Sequence, residues 1–222
     1  HYPLRRQRQM CIRDSFKNVR FTLKKGDKVA FVGPNGAAKT ILFKILMGEE
    51  EADAGEFKWG VTTTQTYLPA DNSAYFDDVK LNLVDWLRQY SKDPDETFVR
   101  GFLGRMLFSG EESQKRAEVL SGGERVRCML SRMMLSGANV LLFDEPTDHL
   151  DLESITALNN GLISFGGTIL FASRDHEFTQ TVANRIIEIT PVGVVDRIST
   201  YDEFLSNETV KQQLAEKYKA AE

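Results

Sequence analysis

The sequence predicts an α/β fold with a mixed, mainly parallel core sheet, and three apolar stretches carry this prediction. Residues 140–143 form an apolar run that ends abruptly at Asp144 and Glu145. Such a run is typical of a parallel strand that is buried on both faces and delivers polar residues to the carboxyl edge of a sheet. Lys28–Val32 and Thr168–Ala172 are similar runs, and both lead into polar or glycine-rich segments. We therefore expect a ligand site at that edge of the sheet.

The length and composition favour one large domain with a helical subdomain, since 222 residues can bury a substantial core. Cys11 and Cys128 provide neither a disulfide framework nor metal-ligand spacing, which is typical of proteins in a reducing cytosol. No apolar run approaches the roughly 20 residues that a membrane helix needs, and there is no secretory leader. The sequence thus predicts a soluble cytoplasmic protein.

Residues 1–15 are predicted to be a non-native segment outside the folded domain, which we assign to residues 16–222. The segment resembles a translated sequencing-adapter read-through; the alternative is a basic arm for nucleic acid. Without its four arginines and one aspartate, 24 basic and 31 acidic residues remain, a net charge of −7. A domain that acidic does not have the basic surface typical of nucleic-acid binding.

The first segment of the domain predicts a strand, a loop and a helix in succession. Residues 16–23 alternate apolar and polar as a strand does, and the strand Lys28–Val32 follows after a turn. A helix is predicted over residues 41–47. The intervening glycine-rich segment, which we call the phosphate loop, consists of Gly33, Pro34, Asn35, Gly36, Ala37, Ala38, Lys39 and Thr40.

The phosphate loop predicts nucleotide binding by a P-loop NTPase. Its backbone N–H groups would surround the β-phosphate of ATP, Lys39 would reach the β- and γ-phosphates, and the Thr40 hydroxyl would bind Mg²⁺. The match is imperfect, because Ala38 stands where the pattern G-x-x-x-x-G-K-[ST] has a glycine. A chance glycine-rich turn is the alternative; the strand before the loop and the helix after it favour the nucleotide.

The middle of the chain changes from strands to helices. Residues 55–59 and 63–68 predict short strands of a small, peripheral antiparallel sheet. Helices are predicted over residues 79–90, 95–108 and 110–119, and together they predict a helical subdomain at about residues 79–120.

A second anion site is predicted where this block ends, because Ser121, Gly122 and Gly123 precede a helix predicted over residues 126–135. The glycines would expose N–H groups at the positive end of the helix, and the serine hydroxyl would add a donor. The alternative interpretation is a serine N-cap followed by two flexible glycines.

Asp144 and Glu145 are predicted to carry the chemistry. Asp144 would hold a hydrated Mg²⁺, and Glu145 would orient and polarise a water for attack on a γ-phosphate. A solvated acidic turn is the alternative.

The rest of the chain is predicted to alternate helices and strands: a helix to residue 164, the strand Thr168–Ala172, strands at 185–189 and 193–198 and a polar helix at about 207–221.

Four motifs in this order, GPNGAAKT, LSGGERVR, VLLFDEPTDHLD and SRDHEF, resemble those of an ATP-binding cassette (ABC) protein. The wording DEPTDHLD is most similar to the ABC-F branch, soluble proteins with two cassettes that act on ribosomes. The resemblance covers residues from about 16 to the end, and it implies the ABC ATPase fold with ATP and Mg²⁺ as cofactors. It also implies that this chain is the second cassette of a truncated reading frame, with another cassette and the ribosome as partners.

The resemblance assigns roles to further residues. Ser121, Gly122 and Gly123 would serve the ATP of an opposing cassette, and Asp151 would end the loop that spans the two cassettes. Arg174 stands where the family has a switch histidine that contacts the γ-phosphate, and His176 comes two residues late. Both are candidate catalytic residues.

Other departures from the family pattern concern hydrolysis and adenine binding. Ala70 stands where the family places a glutamine that senses Mg²⁺ and the attacking water, and Gln65 on the preceding strand is a poor substitute. Arg174 could bind a γ-phosphate but could not shuttle a proton. In a helix, two positions rotate a side chain by roughly 200°, so His176 would point away from the switch position. The aromatic residue that stacks on adenine is expected upstream of Phe16.

Three functions therefore compete at this point. The first is an ATP-dependent switch of the ABC-F kind, and the second is the ATPase subunit of a membrane transporter. The third is a cassette that holds ATP but hardly hydrolyses it, which Ala70 and Arg174 favour. Cosedimentation with ribosomes or membranes would divide the first two, and turnover by the tandem protein would test the third.

Overall fold

The structure is a computed structural model that describes residues 16–93 and 95–220. The predicted non-native segment at residues 1–15 lies outside the described residues. The chain divides into two compact units, of which the first ends at Val61 and resumes at Gly167, and the second is Thr62–Gly166.

The described residues contain six strands and eight α-helices. The strands are β1 (Lys28–Val32), β2 (Gln65–Leu68), β3 (Val140–Asp144), β4 (Thr168–Ala172), β5 (Arg185–Thr190) and β6 (Gly193–Arg197). The helices are α1 (Gly36–Met47), α2 (Leu83–Arg88), α3 (Glu96–Arg105), α4 (Gly122–Ser136), α5 (Leu152–Ser164), α6 (His176–Val182), α7 (Tyr201–Ser206) and α8 (Glu208–Lys219).

In the first unit, four strands lie in the order β4-β1-β5-β6. β1 is parallel to both β4 and β5, and β6 closes the unit with an antiparallel pairing to β5. β1 and β4 are buried over nearly their whole length, which explains why their sequences are continuous apolar runs. This arrangement places the phosphate loop at the carboxyl end of β1.

In the second unit, β2 runs parallel to β3, with Gln65 opposite Val140 and Leu68 opposite Phe143. Helices α2, α3 and α4 pack against one another in this unit, which also contains α5. Trp86 fixes their core, because its buried indole stacks on Phe76 with ring centroids 4.8 Å apart and donates a hydrogen bond of 2.9 Å to a backbone carbonyl. Trp86, which is 1% exposed, therefore belongs to the core of this unit.

The predicted strand at residues 16–23 is wrong in its hydrogen bonding, although Phe21 packs edge-on against Phe31 as an inward-facing residue would. Asn18 has φ +55°, which interrupts an extended chain. Isolated hydrogen bonds hold the segment instead of a strand ladder: the Arg185 side chain donates to the Thr22 carbonyl at 2.8 Å, and the Lys17 N–H donates to the Pro191 carbonyl at 3.1 Å. The alternation of apolar and polar residues therefore indicates which side chains face inward, but it does not indicate that the segment pairs as a strand.

Two predictions in the middle of the chain are also wrong. Residues 55–59 form no strand, and β2 pairs with β3 in parallel, so it does not belong to a peripheral antiparallel sheet. Residues 110–119 form two 3₁₀ turns, Glu112–Gln114 and Ala117–Val119, in place of an α-helix. Their backbone is used elsewhere, since the Ala117 N–H donates to the Leu81 carbonyl and the Lys115 carbonyl accepts from Leu83.

β1 and β4 occur with the predicted bounds, and the remaining predicted elements are present with shifted ends. α4 begins at Gly122, four residues before the predicted start, and the C-terminal polar helix is preceded by α7, which was not predicted from the sequence. α7 has a capping box, in which the Thr200 hydroxyl and the Glu203 carboxylate each accept a hydrogen bond from the other's backbone N–H. Within residues 16–93 and 95–220, none of the helices combines the length and apolar character that crossing a membrane requires.

Candidate functional site

The phosphate loop is the first part of the candidate site, and most of it is helical. α1 begins at Gly36, five residues earlier than predicted, and Asn35 caps it by accepting a hydrogen bond of 3.1 Å from the Ala38 N–H. The first turn of α1 contains no acidic residue. The backbone dipoles of this 12-residue helix therefore present a positive end at the loop, which is suited to an anion.

Lys39 lies back over its own loop. Its side chain is only 6% exposed, and its ammonium donates a hydrogen bond of 3.2 Å to the Gly33 carbonyl. Gly33 has φ +120°, and a Cβ there would lie 3.0 Å from the Ile189 carbonyl oxygen. Only glycine allows the chain to leave β1 in this direction, and the turn brings its carbonyl to Lys39.

Ala38, the departure from the usual pattern, is completely buried. Its methyl group is therefore enclosed by the protein and does not project from the solvent-facing side of the loop. Thr40, the predicted Mg²⁺ ligand, follows in the same turn and is partly exposed. The loop thus keeps a helix N-terminus and a nearly buried cation, which is the combination that polyphosphate binding requires.

Glu188 is a charged neighbour of the phosphate loop that was not predicted from the sequence. It lies on β5 opposite Val32, the last residue of β1, and Tyr218 of α8 donates a hydrogen bond of 2.9 Å to its carboxylate. Burial raises the pKa of Glu188, while the Tyr218 hydrogen bond and the charge of Lys39 act in the opposite direction. A glutamate within the apolar stretch Ile-Ile-Glu-Ile was the available signal.

The two predicted switch residues have separate surroundings. Arg174 is exposed and lies before the N-cap of α6, so it is not a helical residue. His176 is the first residue of α6, and its Nε2 lies 2.9 Å from a carboxylate oxygen of Asp202 in α7, with its ring beside Tyr201. The contacts of His176 with α7 are consistent with the expectation that it does not replace the switch histidine.

In the second unit, the paired acids lie at the carboxyl end of β3, as predicted. Asp144 ends the strand and is 3% exposed, and Glu145 follows with φ +50°. A positive φ is strained for a residue with a side chain, and such strain is found preferentially at functional sites. The two carboxylates line a cleft of about 530 Å³ within this unit.

The cleft is also lined by residues that are far apart in the sequence, some of which were not predicted to belong to a site. Ala70 and Gly122 line it together with Asp71, Arg125 and His149. Gln65 lies opposite Val140, five residues before Glu145 and so about 16 Å away at 3.3 Å per residue. The register is consistent with the prediction that Gln65 is a poor substitute for the glutamine that the resemblance places at Ala70.

Ser121 is the N-cap of α4. Its hydroxyl accepts a hydrogen bond from the Glu124 N–H, and the Glu124 carboxylate accepts one of 2.9 Å from the Ser121 N–H. The alternative interpretation, a serine cap, is thus present in the structure. It does not exclude the anion site, because capping uses an acceptor lone pair and leaves the hydroxyl proton for a ligand.

Gly122 and Gly123 have a packing role beside any role in anion binding. A Cβ on Gly122 would lie 3.2 Å from the His149 side chain, and a Cβ on Gly123 would lie 2.5 Å from the His149 carbonyl oxygen. His149 itself has φ +65°. The turn after the paired acids therefore lies directly on the start of α4, and the glycines permit that approach.

Replacing Gly123 with alanine is expected to destabilise the fold by about 1–3 kcal/mol, the usual cost of forcing extra atoms into a packed region. The reason is that the obstructing atom is a backbone oxygen, which cannot rotate away. Urea unfolding would measure the change. Gly110→Ala is the matched control, because nothing lies within 4 Å of a Cβ there. Equal stability of the two variants would contradict the packing role.

Asp151 begins α5 as its N-cap and accepts a hydrogen bond of 2.8 Å from the Ser154 N–H. This backbone hydrogen bond lowers the pKa of the Asp151 carboxyl.

Cys128 is buried, and burial raises the pKa of its thiol. Among the described residues, no three His, Cys, Asp or Glu side chains are grouped so as to hold a metal ion by themselves. A Mg²⁺ at the paired acids would thus need oxygens from its ligand as well.

Comparison with known proteins places these features in a family. Residues 16–148 match the family described as ABC transporter. The uncharacterized ABC transporter ATP-binding protein YkpA of Bacillus subtilis (strain 168) is 67% identical over 202 residues, which cover 90% of this chain and 37% of that protein. The energy-dependent translational throttle protein EttA of Haemophilus influenzae is 34% identical over 84% of this chain and 35% of that protein.

A solved structure supports the fold independently. The ATP-binding cassette MJ0796, in a dimeric post-hydrolysis state bound to ADP and Pi, matches with a TM-score of 0.68 and 17% identity, over 83% of this chain and 90% of that chain. At this identity the likeness shows the fold, which is the one that the sequence predicted. The chain spans about a third of the length of the curated relatives, at 37% and 35%.

Proposed function

We propose, from the premise that this chain belongs to the ABC transporter family of ATP-binding cassettes, that it binds Mg-ATP and hydrolyses it together with a second cassette. The observation that carries the proposal is the phosphate loop, in which a nearly buried Lys39 lies beside the N-terminus of α1. Such a cation is costly to bury unless an anion pairs with it. The phosphates of ATP are the anions that the family uses.

Each site residue has a separate role in the proposed hydrolysis of ATP. Lys39 would neutralise the β- and γ-phosphates, and Thr40 with Asp144 would hold Mg²⁺, which neutralises charge that develops on the phosphates. Glu145 would accept a hydrogen bond from the attacking water and draw away its proton. Arg174 would be a fixed positive charge toward the γ-phosphate, since its guanidinium stays protonated.

The second cassette completes the site. Ser121, Gly122 and Gly123 would bind the ATP of the opposing cassette through their N–H groups and the serine hydroxyl, and Asp151 would end the loop that reaches across. The dimeric state of MJ0796 is the precedent for pairing within this fold. We therefore expect the isolated chain to be mainly monomeric and to hydrolyse ATP slowly.

We further propose that the cassette belongs to an ABC-F protein that couples closure to translation in the cytoplasm. The support is the DEPTDHLD wording and the 34% identity to a translational throttle protein. The tandem protein should cosediment with ribosomes when ATP is present, and ADP should weaken the association. Recovery with membranes and not with ribosomes would favour the transporter subunit and end this proposal.

A second candidate function, ATP binding with little hydrolysis, is favoured by Ala70, which lines the cleft beside Glu145 without a side chain that could hold a water. The double substitution Ala70→Gln with Arg174→His is expected to raise turnover of the tandem protein at least about tenfold, a modest share of what proton-transfer groups contribute. Phosphate release would measure it. Gln65→Ala is the control and should change nothing, because Gln65 lies at the other end of β2. Equal rates in parent and double variant would exclude this candidate.

A further inference from the structure

The C-terminal helix α8 is tied to the phosphate loop through one carboxylate. Glu188 lies opposite Val32, and its Cγ is 3.4 Å from the position that a Cβ on Gly33 would occupy. The carboxylate therefore lies beside the first residue of the loop. Its charge acts on Lys39, whose ammonium is bonded to the carbonyl of that same glycine.

The Glu188 carboxylate would compete with the phosphates of ATP for Lys39. Lys39 is nearly buried, so the attraction between its ammonium and a nearby carboxylate is much less screened than in water. A carboxylate that pairs closely with Lys39 would take the cation that the phosphates need, and it would also repel them. The loop thus binds ATP best when Glu188 is held by another donor.

Tyr218 supplies that donor from α8. Its hydroxyl donates a hydrogen bond of 2.9 Å to the Glu188 Oε1, and bonds to an ionised acceptor are stronger than neutral ones. Tyr218 lies in the last turn of α8, and the first turn of the helix is held in place by the Asn207 cap and by Val210, which is 1% exposed.

We propose that Tyr218 is a positioning residue for nucleotide binding: it holds the Glu188 carboxylate back from Lys39 and so couples docking of α8 to the ATP affinity of the phosphate loop. This inference rests on the proposed function of that loop. Displacing α8, for example through a partner that binds it, would release Glu188 and lower the affinity for ATP.

The test is calorimetry of Mg-ATP binding to the 222-residue chain and its variants. Tyr218→Phe should weaken binding by about three- to tenfold, because the freed carboxylate turns to Lys39. The loss in ATP affinity is smaller than the full free energy of a charged hydrogen bond, since only part of that free energy affects the phosphate loop. Glu188→Gln should bind ATP no more weakly than the parent. In the Glu188→Gln background, Tyr218→Phe should have no further effect. Tyr90→Phe, a hydroxyl deletion in the second unit, is the control and should equal the parent.

Two outcomes would overturn the inference. One is unchanged affinity in Tyr218→Phe. The other is a loss that persists in the Glu188→Gln background, because the hydroxyl would then act by supporting the fold and not through the carboxylate. Failure of the proposed function is distinguishable from either, since the parent would then not bind ATP or Lys39→Met would bind it equally well.

Discussion

Replacing Glu145 with glutamine is expected to reduce ATP turnover by at least about a hundredfold, the lower range for loss of a general base. Glutamine still offers an oxygen to hydrogen-bond the water, but it cannot accept the proton. The glutamine side chain has the same length as glutamate, and the backbone strain at residue 145, with φ +50°, is the same in both proteins. The packing around the neighbouring buried Asp144 is therefore preserved. The loss should therefore appear in the rate and not in stability.

The same substitution is expected to trap two cassettes around ATP. The carboxylate no longer repels the γ-phosphate, and ATP that contacts both faces favours the closed pair without being consumed. Light scattering of Glu145→Gln with and without Mg-ATP, ideally with the proper partner cassette, measures the association. Glu153→Gln removes an exposed acid from α5 and should behave like the parent. Fast turnover by the monomer, or a variant that never pairs with its partner, would contradict the two-cassette mechanism.

Replacing Lys39 with methionine is expected to weaken Mg-ATP binding by about 1.5–3 kcal/mol, the range for hydrogen bonds to charged groups. Methionine fills most of the buried space that the lysine stem occupies, so the change removes the charge with little loss of packing. Calorimetry with Mg-ATP measures the effect. Lys44→Ala, in the last turn of the same helix, is the control for general loss of positive charge. Equal affinity in Lys39→Met and the parent would exclude Lys39 as the main phosphate ligand.

The sequence predicted the strands that surround the site because their patterns are strong. The apolar run at residues 140–143 lies in β3, which extends one residue further to Asp144, and β4 occurs with its predicted bounds, Thr168–Ala172. Continuous apolar runs of this length are typical of strands buried on both faces. Periodicity failed for the weaker segments. Residues 16–23 alternate without pairing, and residues 110–119 form 3₁₀ turns because bonds to distant residues occupy their backbone.

The sequence by itself determined which chemical groups are present: a cation in a glycine-rich loop, paired acids at a strand end, and an alanine and an arginine where the resemblance places a glutamine and a histidine. Local pattern carries such information because each of these motifs is a short, contiguous stretch of the chain. Only the tertiary structure decided which distant groups meet them. The approach of His149 to Gly123 and the path from Tyr218 through Glu188 to Lys39 join residues that lie 26 or more positions apart. Packing between elements sets those contacts, and no periodicity in the chain records them.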